Sequence, residues 1–206
     1  MGAVADEIPR APTDGQVACE DGRTARAPEL SRDGWKDLFA RLAAGDLSAL
    51  EPLYRASARS VFGLALWRTG SVEDASDVVQ EVFLRLAQRH RRLGKVEDPG
   101  SWLLGVAHHV AIDVARRRKR RATEPLDEVP FFAAPETDDG RAIDAARASK
   151  LVAQLPPAQR DVVYLRHFAD CTFAAIGDIT GVPTFTAASR YRLGIERLRR
   201  LMEGRQ

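Results

Sequence analysis

FAAIGDITGVPTFTAASRYRLGIERLRR, residues 173–200, reads as a short helix, a tight turn and a longer basic helix. Gly181 and Pro183 end the first helix, and Thr184 caps a second that carries Tyr191, Ile195, Leu198 and Met202 inward. Helix, glycine-containing turn and helix in that order form a helix-turn-helix. The second helix of such a unit enters the major groove, so its first turns must offer small or hydrogen-bonding side chains to base edges. Thr184, Thr186, Ser189 and Arg190 suit that role, while Arg192 and Arg197 suit phosphates. The same pattern also fits an αα-hairpin in a helical core with its arginines merely solvated, and the spacing leaves both readings open.

Working outward, Pro156-Pro157 breaks one helix, expected over residues 143–155, from the next, which carries Val162, Val163, Leu165 and Phe168. Residues 122–139 hold three prolines, several acids and no helical period, as a tether does. Before it, Asp98-Pro99 opens a helix with Trp102, Leu103, Val106, Val110 and Val114 that runs into a block of six cations. Gly70-Ser71 marks another boundary, with Ser71 and Asp74 at capping-box spacing. The following helix places Ala75, Val78, Val79, Val82, Phe83 and Leu86 on one face, and Asp74, Asp77, Gln80, Glu81 and Arg85 away from it. Further back, Trp35, Leu38, Phe39 and Leu42 share one face, Gly45 stops that run, and Pro52 sits where the next helix starts or bends. Residues 1–31 show no apolar periodicity and read as a disordered tail. No strand-like alternation occurs. The expected fold is all-α, with two small helical domains at 32–121 and 140–206 joined by a flexible linker at 122–139, the second containing the helix-turn-helix.

The chain has 206 residues and a net charge of only +2, so the distribution of charge says more than its total. Acids gather at 73–77 and 124–144, and bases at 116–121 and 190–205, which suggests separate surfaces for separate partners. Cations favour a helix C-terminus, but six in a row exceed that need and point to a polyanion.

Taken in order and separation, three stretches resemble the extracytoplasmic-function (ECF) sigma factors. They are DASDVVQEVFLRL at 74–86, the helix from Trp102 through Ile112-Asp113 with its arginine-rich tail, and LPPAQR at 155–160 continuing to Ser189-Arg190. The resemblance implies an N-terminal domain that docks on the clamp helices of the largest subunit of RNA polymerase core and opens the downstream promoter element. It implies a C-terminal domain that reads the upstream element of promoter DNA, and an anti-sigma factor that holds the protein inactive. The matching polymerase-binding residues are Asp74, Asp77, Gln80 and Glu81, with Phe83 assigned to the core. The DNA-binding residues of the strand-opening helix are His108, His109, Arg116, Arg117, Arg118, Lys119, Arg120 and Arg121. Ser76, His109, Ala175 and Ala188 depart from the usual Glu, Asn, Glu and basic residue, and each loss that is a base contact removes ~1–3 kcal/mol. A sigma-mimicking protein that sequesters an anti-sigma factor without reading promoters is the alternative.

Catalysis is not expected. There is no glycine-rich phosphate loop, nucleophile elbow or HExxH, so no catalytic residue and no cofactor is assigned. His108 and His109 point about 100° apart on a helix and cannot chelate one metal from one face. His167 and Cys171 have i,i+4 spacing but lack further ligands, so no metal is expected. The two cysteines form no disulfide framework, no run approaches the ~20 apolar residues of a membrane span, and the first thirty residues lack a signal-peptide core. A cytoplasmic protein is the expectation.

Overall fold

Local sequence signals account for most helix ends. The computed structural model describes residues 30–121 and 151–203, apart from the side chains of Arg92 and Arg121. The expected tail and tether fall outside these residues, as does most of the helix expected at 143–155, of which 151–153 are helical. Helix α1 spans Arg32–Ala43, with the Ser31 hydroxyl accepting from the Gly34 amide at 3.1 Å. After Gly45 at φ +96°, helix α2 runs Leu50–Thr69 with Pro52 in its first turn, where a missing N–H costs nothing. Gly70 closes α2 in the left-handed region, and Ser71 accepts from the Asp74 amide to start α3 at Val72–Arg89. Helix α4 covers Pro99–Arg121, with Asp98 accepting from the Ser101 amide at 3.2 Å. Helices α5 (Pro157–His167), α6 (Phe173–Thr180) and α7 (Thr184–Glu203) complete the chain. Among the described residues, all regular structure is helical.

Helix α2 is the hub. Its Leu53, Val61, Leu64 and Ala65 are fully buried and belong to one core with Val78, Val82 and Leu86 of α3 and Leu103, Ala107 and Val110 of α4. From α1, Phe39 enters edge-on to Trp35 and Trp102. In the C-terminal half, Val162, Leu165, Ile176, Ile179 and Ala187 are buried where α5, α6 and α7 meet. Met202, expected inward, is 63% exposed. Gly194 marks where α7 crosses the first turn of α5, against Gln159 and Val163, and Met202 lies about 12 Å further along the helix.

The flexible linker expected at 122–139 lies outside the described residues, and the two halves on either side of it share a buried interface made by α2 with α5 and α4 with α6. Its centre is Asp161, 2% exposed, whose Oδ2 accepts from Arg68 at 2.5 Å and from His108 Nε2 at 3.0 Å. Arg160 donates to the carbonyls of Trp67, Ala153 and Leu155, and burial pushes its guanidinium below its ordinary value. The Tyr164 hydroxyl donates to the Ser60 carbonyl at 3.0 Å, and the rings of Trp67, Tyr164 and Phe168 lie 5.1–5.5 Å apart. Burial pushes the Tyr164 phenol up. Gly63 makes room for that phenol, since a Cβ there would overlap its hydroxyl.

Removing one partner of a buried ion pair costs ~3–5 kcal/mol when the others stay buried. Here the halves can separate and rehydrate Arg68 and His108, so the loss should appear as opening, not unfolding. Asp161→Ala, and Gly63→Ala by overlap, should enlarge the radius of gyration in X-ray scattering while leaving helix content unchanged. Wild-type compactness in both variants would show that this interface does not hold the halves together.

Candidate functional site

Three outward faces carry the residues singled out by sequence. On α3, Ala75, Val78, Val79, Val82 and Leu86 turn inward, which leaves Asp77 and Gln80 exposed. Asp74 is half-buried and accepts from Arg118 at 2.9 Å, so the basic end of α4 is already tied to the acidic start of α3. Glu81 pairs with Arg85 at 2.6 Å along the helix, and the Ser76 hydroxyl donates to the Val72 carbonyl. Phe83 packs on Tyr54 with ring centroids 4.9 Å apart, as its place on the apolar face required. Leu84, half exposed between these polar groups, escaped the sequence reading because it is out of phase with the core stripe.

On α4, Leu103, Leu104, Ala107, Val110 and Ala111 are buried, and the opposite face carries Trp102, His109, Asp113, Arg116, Arg117 and Arg120. His109 is exposed, with its Nδ1 donating to the Gly105 carbonyl at 2.7 Å. Lys119 is exposed too. The structure separates His108 from this group, since it is 5% exposed and turned to Asp161. Its neighbour in sequence faces water because adjacent helical residues diverge by about 100°. Trp102 is 38% exposed and keeps one edge on Phe39.

The helix-turn-helix is built by α6 and α7. Thr172 accepts from the Ala175 amide, Gly181 adopts φ +69°, and the Val182 amide donates to the Gly177 carbonyl at 2.9 Å. Gly177 is needed for closeness, since a Cβ there would sit 2.7 Å from the Val182 oxygen. The Pro183 carbonyl accepts from Thr186 and Ala187, so it starts α7 where the Thr184 side chain was expected to. Thr184, Arg192 and Arg197 are exposed, while Thr186, Ser189 and Arg190 are half-buried. Phe185, which sequence reading passed over, is exposed.

His167 and Cys171 do not converge: His167 Nε2 and the Tyr191 hydroxyl share a hydrogen bond of 2.8 Å, and the Cys171 thiol faces the Ala169 carbonyl. No group of three or more His, Cys, Asp or Glu able to hold a metal occurs among the described residues, and no described helix is long and apolar enough to cross a membrane.

Residues 53–121 match the family described as Sigma-70 region 2, and residues 151–200 match Sigma-70, region 4. The ECF RNA polymerase sigma factor RpoE of Cereibacter sphaeroides is 31% identical over 169 residues, covering 76% of this chain and 88% of that protein. SigL of Mycobacterium tuberculosis is 29% identical over 162 residues, covering 76% and 90%. The chain belongs to the ECF sigma factors. It is a transcription initiation factor acting with RNA polymerase on promoter DNA, not an enzyme. Two solved structures share the fold. The sigma factor RpoE in complex with the anti-sigma factor NepR from Bartonella quintana gives a TM-score of 0.66 at 16% identity, over 78% of this chain and all of that one. CnrH in complex with the cytosolic domain of CnrY gives 0.61 at 18%, over 83% and 98%.

In this sigma factor, burial pushes the Cys171 thiol up to about 11, with the carboxylates of Asp98 and Asp170 adding to the shift. Its folded value lies above the ordinary 9.0, so its contribution to stability is complete below pH 9 and is lost as pH rises towards 11. In a Cys19→Ser background, alkylation of native Cys171 should therefore follow a titration near pH 11. A midpoint at the ordinary value in the folded protein would contradict the burial.

Proposed function

We propose that the three outward faces divide the work of initiation. The exposed face of α3, centred on Asp77 and Gln80 with Asp74 and Glu81 at its edge, docks on the clamp helices of RNA polymerase core. The outer face of α4, from Trp102 through His109 to Arg116, Arg117, Lys119 and Arg120, holds the opened downstream element. Aromatic stacking and cations on phosphate are the interactions that capture a single strand. Helix α7 reads the upstream element from the major groove, through Thr184, Thr186, Ser189 and Arg190, with Arg192 and Arg197 on phosphates. His108, turned to Asp161, contributes through the arrangement of α4 and not by touching DNA. The observation that carries this reading is the separation of faces: an acidic one on α3 and two cationic ones on α4 and α7, none of them used to build the core.

An anti-sigma factor holds this protein inactive in the cytoplasm. Both structures that share the fold are complexes with a protein partner: the sigma factor RpoE with the anti-sigma factor NepR, and CnrH with the cytosolic domain of CnrY. A groove lined by Trp35, Phe62, Trp67 and Leu104 from the first half and Phe168 and Cys171 from the second would seat such a segment against both halves at once.

Reversing Asp74 and Asp77 to Lys should weaken binding to core polymerase about tenfold or more. Folding should persist: Asp77 is exposed, where changes usually lie within about 0.5 kcal/mol, and the Asp74–Arg118 pair lost with it is partly exposed and contributes about 1 kcal/mol or less. Capture of core polymerase by the double variant at wild-type strength would remove α3 from the docking face. Arg116→Ala with Arg117→Ala should weaken all promoters alike and flatten the salt dependence by ~0.7–0.9 per lost phosphate contact. Arg190→Ala should instead lose ~1–3 kcal/mol of discrimination at one or two upstream positions. Uniform losses for both sets at every position, read by open-complex formation on separately mutated elements, would refute the division.

A further inference from the structure

Phe185 is the most exposed large hydrophobic residue among those described, at 74%. Nothing in the fold accounts for it. Ala187, two positions on, is the residue that turns into the helix-turn-helix core, which places Phe185 about 200° away on the helix. The interface between the halves lies on α5 and α6, not on this face. On α7, Phe185 shares its outward stripe with Ser189 and Arg192, at i+4 and i+7.

Its backbone position is well determined. The turn before it is fixed by the Val182 amide on the Gly177 carbonyl, and the helix is started by the Pro183 carbonyl accepting from Thr186 and Ala187. The second residue of a recognition helix lies in the turns that approach base edges. A phenyl ring offers those edges no hydrogen bond. The apolar feature that a base pair presents in the major groove is the 5-methyl group of thymine. Ala188, one turn beyond on the adjoining face, brings neither charge nor hydrogen-bonding group, so this part of the helix is equipped for an apolar contact. Arg192 and Arg197 supply the cations that hold such a helix against phosphates.

We propose that Phe185 is a specificity-determining residue that recognises one thymine of the upstream element through its methyl group. Ring and methyl exclude water from each other in the groove, and cytosine, lacking the methyl at that site, is discriminated against. The inference rests on the assignment of α7 as the duplex reader and names one of its contacts.

The test uses holoenzyme assembled from core polymerase and the full chain. An upstream element is first selected from duplexes randomised in that region, and each thymine in it is then replaced singly by deoxyuridine, which deletes only the methyl. Wild-type holoenzyme should lose roughly fourfold to tenfold in affinity at one thymine, the worth of one buried methyl and its contacts. Phe185→Ala should bind the thymine duplex more weakly by a similar factor and show no further loss with deoxyuridine at that position, while Phe185→Leu should keep part of the dependence. If wild type shows no methyl dependence at any thymine, or if Phe185→Ala keeps it unchanged, the proposal is overturned. It is also overturned if Phe185→Ala binds every duplex as wild type does and is impaired only in capture by an anti-sigma factor, which would make the ring a protein anchor. The broader reading fails in a different way: Arg190→Ala and Arg192→Ala would leave upstream binding intact, and no upstream sequence would be selected.

Discussion

The Asp161 carboxylate is held where water does not reach, and a bare charge there would cost several kcal/mol. Arg68 from α2 and His108 from α4 both donate to its Oδ2, so one side chain of the C-terminal half is satisfied only by two helices of the N-terminal half. Its Oδ1 and the His108 Nδ1 find no partner among the described residues, which leaves the cluster less favourable than a fully bonded one. Such a contact specifies an arrangement more than it stabilises it. The apolar part of the interface, Trp67 with Tyr164 and Phe168, adds area without register, because stacked rings slide easily. The polar cluster and the fit of Tyr164 over Gly63 fix the register.

The same economy of charge recurs between α3 and α4. Arg118 reaches back to Asp74, at the first turn of α3, where a carboxylate also meets the positive end of the helix. This pair is half-exposed, so it contributes little to stability. Its consequence is positional. It draws one cation out of the basic run and sets the end of α4 beside the start of α3, while Arg116, Arg117, Lys119 and Arg120 stay directed to solvent. The run is therefore not six equivalent charges, and a substitution at Arg118 acts on two surfaces where one at Arg117 acts on one.

What could be read from sequence was whatever has a local cause. Asp98-Pro99, Gly70-Ser71 and the Gly181 turn each announce a helix boundary within three or four residues, and the apolar stripes of α3 and α4 follow from period alone. The helix-turn-helix pattern and the resemblance to the ECF sigma factors were legible for the same reason. Asp161 was not, because a carboxylate on a helix looks solvated until the helix that covers it is known. His108 was grouped with the DNA-facing residues by the family resemblance, and only the packing of α4 on α5 and α6 separates it from His109. Leu84 and Phe185 were passed over because an apolar residue out of phase with its stripe carries no signal until its exposure is seen. Met202 was in phase, but its helix had run past its neighbour.

The closed arrangement uses the inner side of α4 against α6 and leaves the outer side of α4 and the stripe of α7 in solvent. Closure therefore does not cover the two faces proposed above to meet DNA. It fixes their separation. Two readers on one body can engage two promoter elements only at the spacing that body sets, whereas readers that part at the Asp161 cluster are limited by the chain between them. A cluster with unused bonding capacity is suited to that duty, because Arg68, His108 and Asp161 all regain full hydration when the halves part. A partner that sat in the groove lined by both halves would favour one body over two without touching the side chains proposed above to read bases.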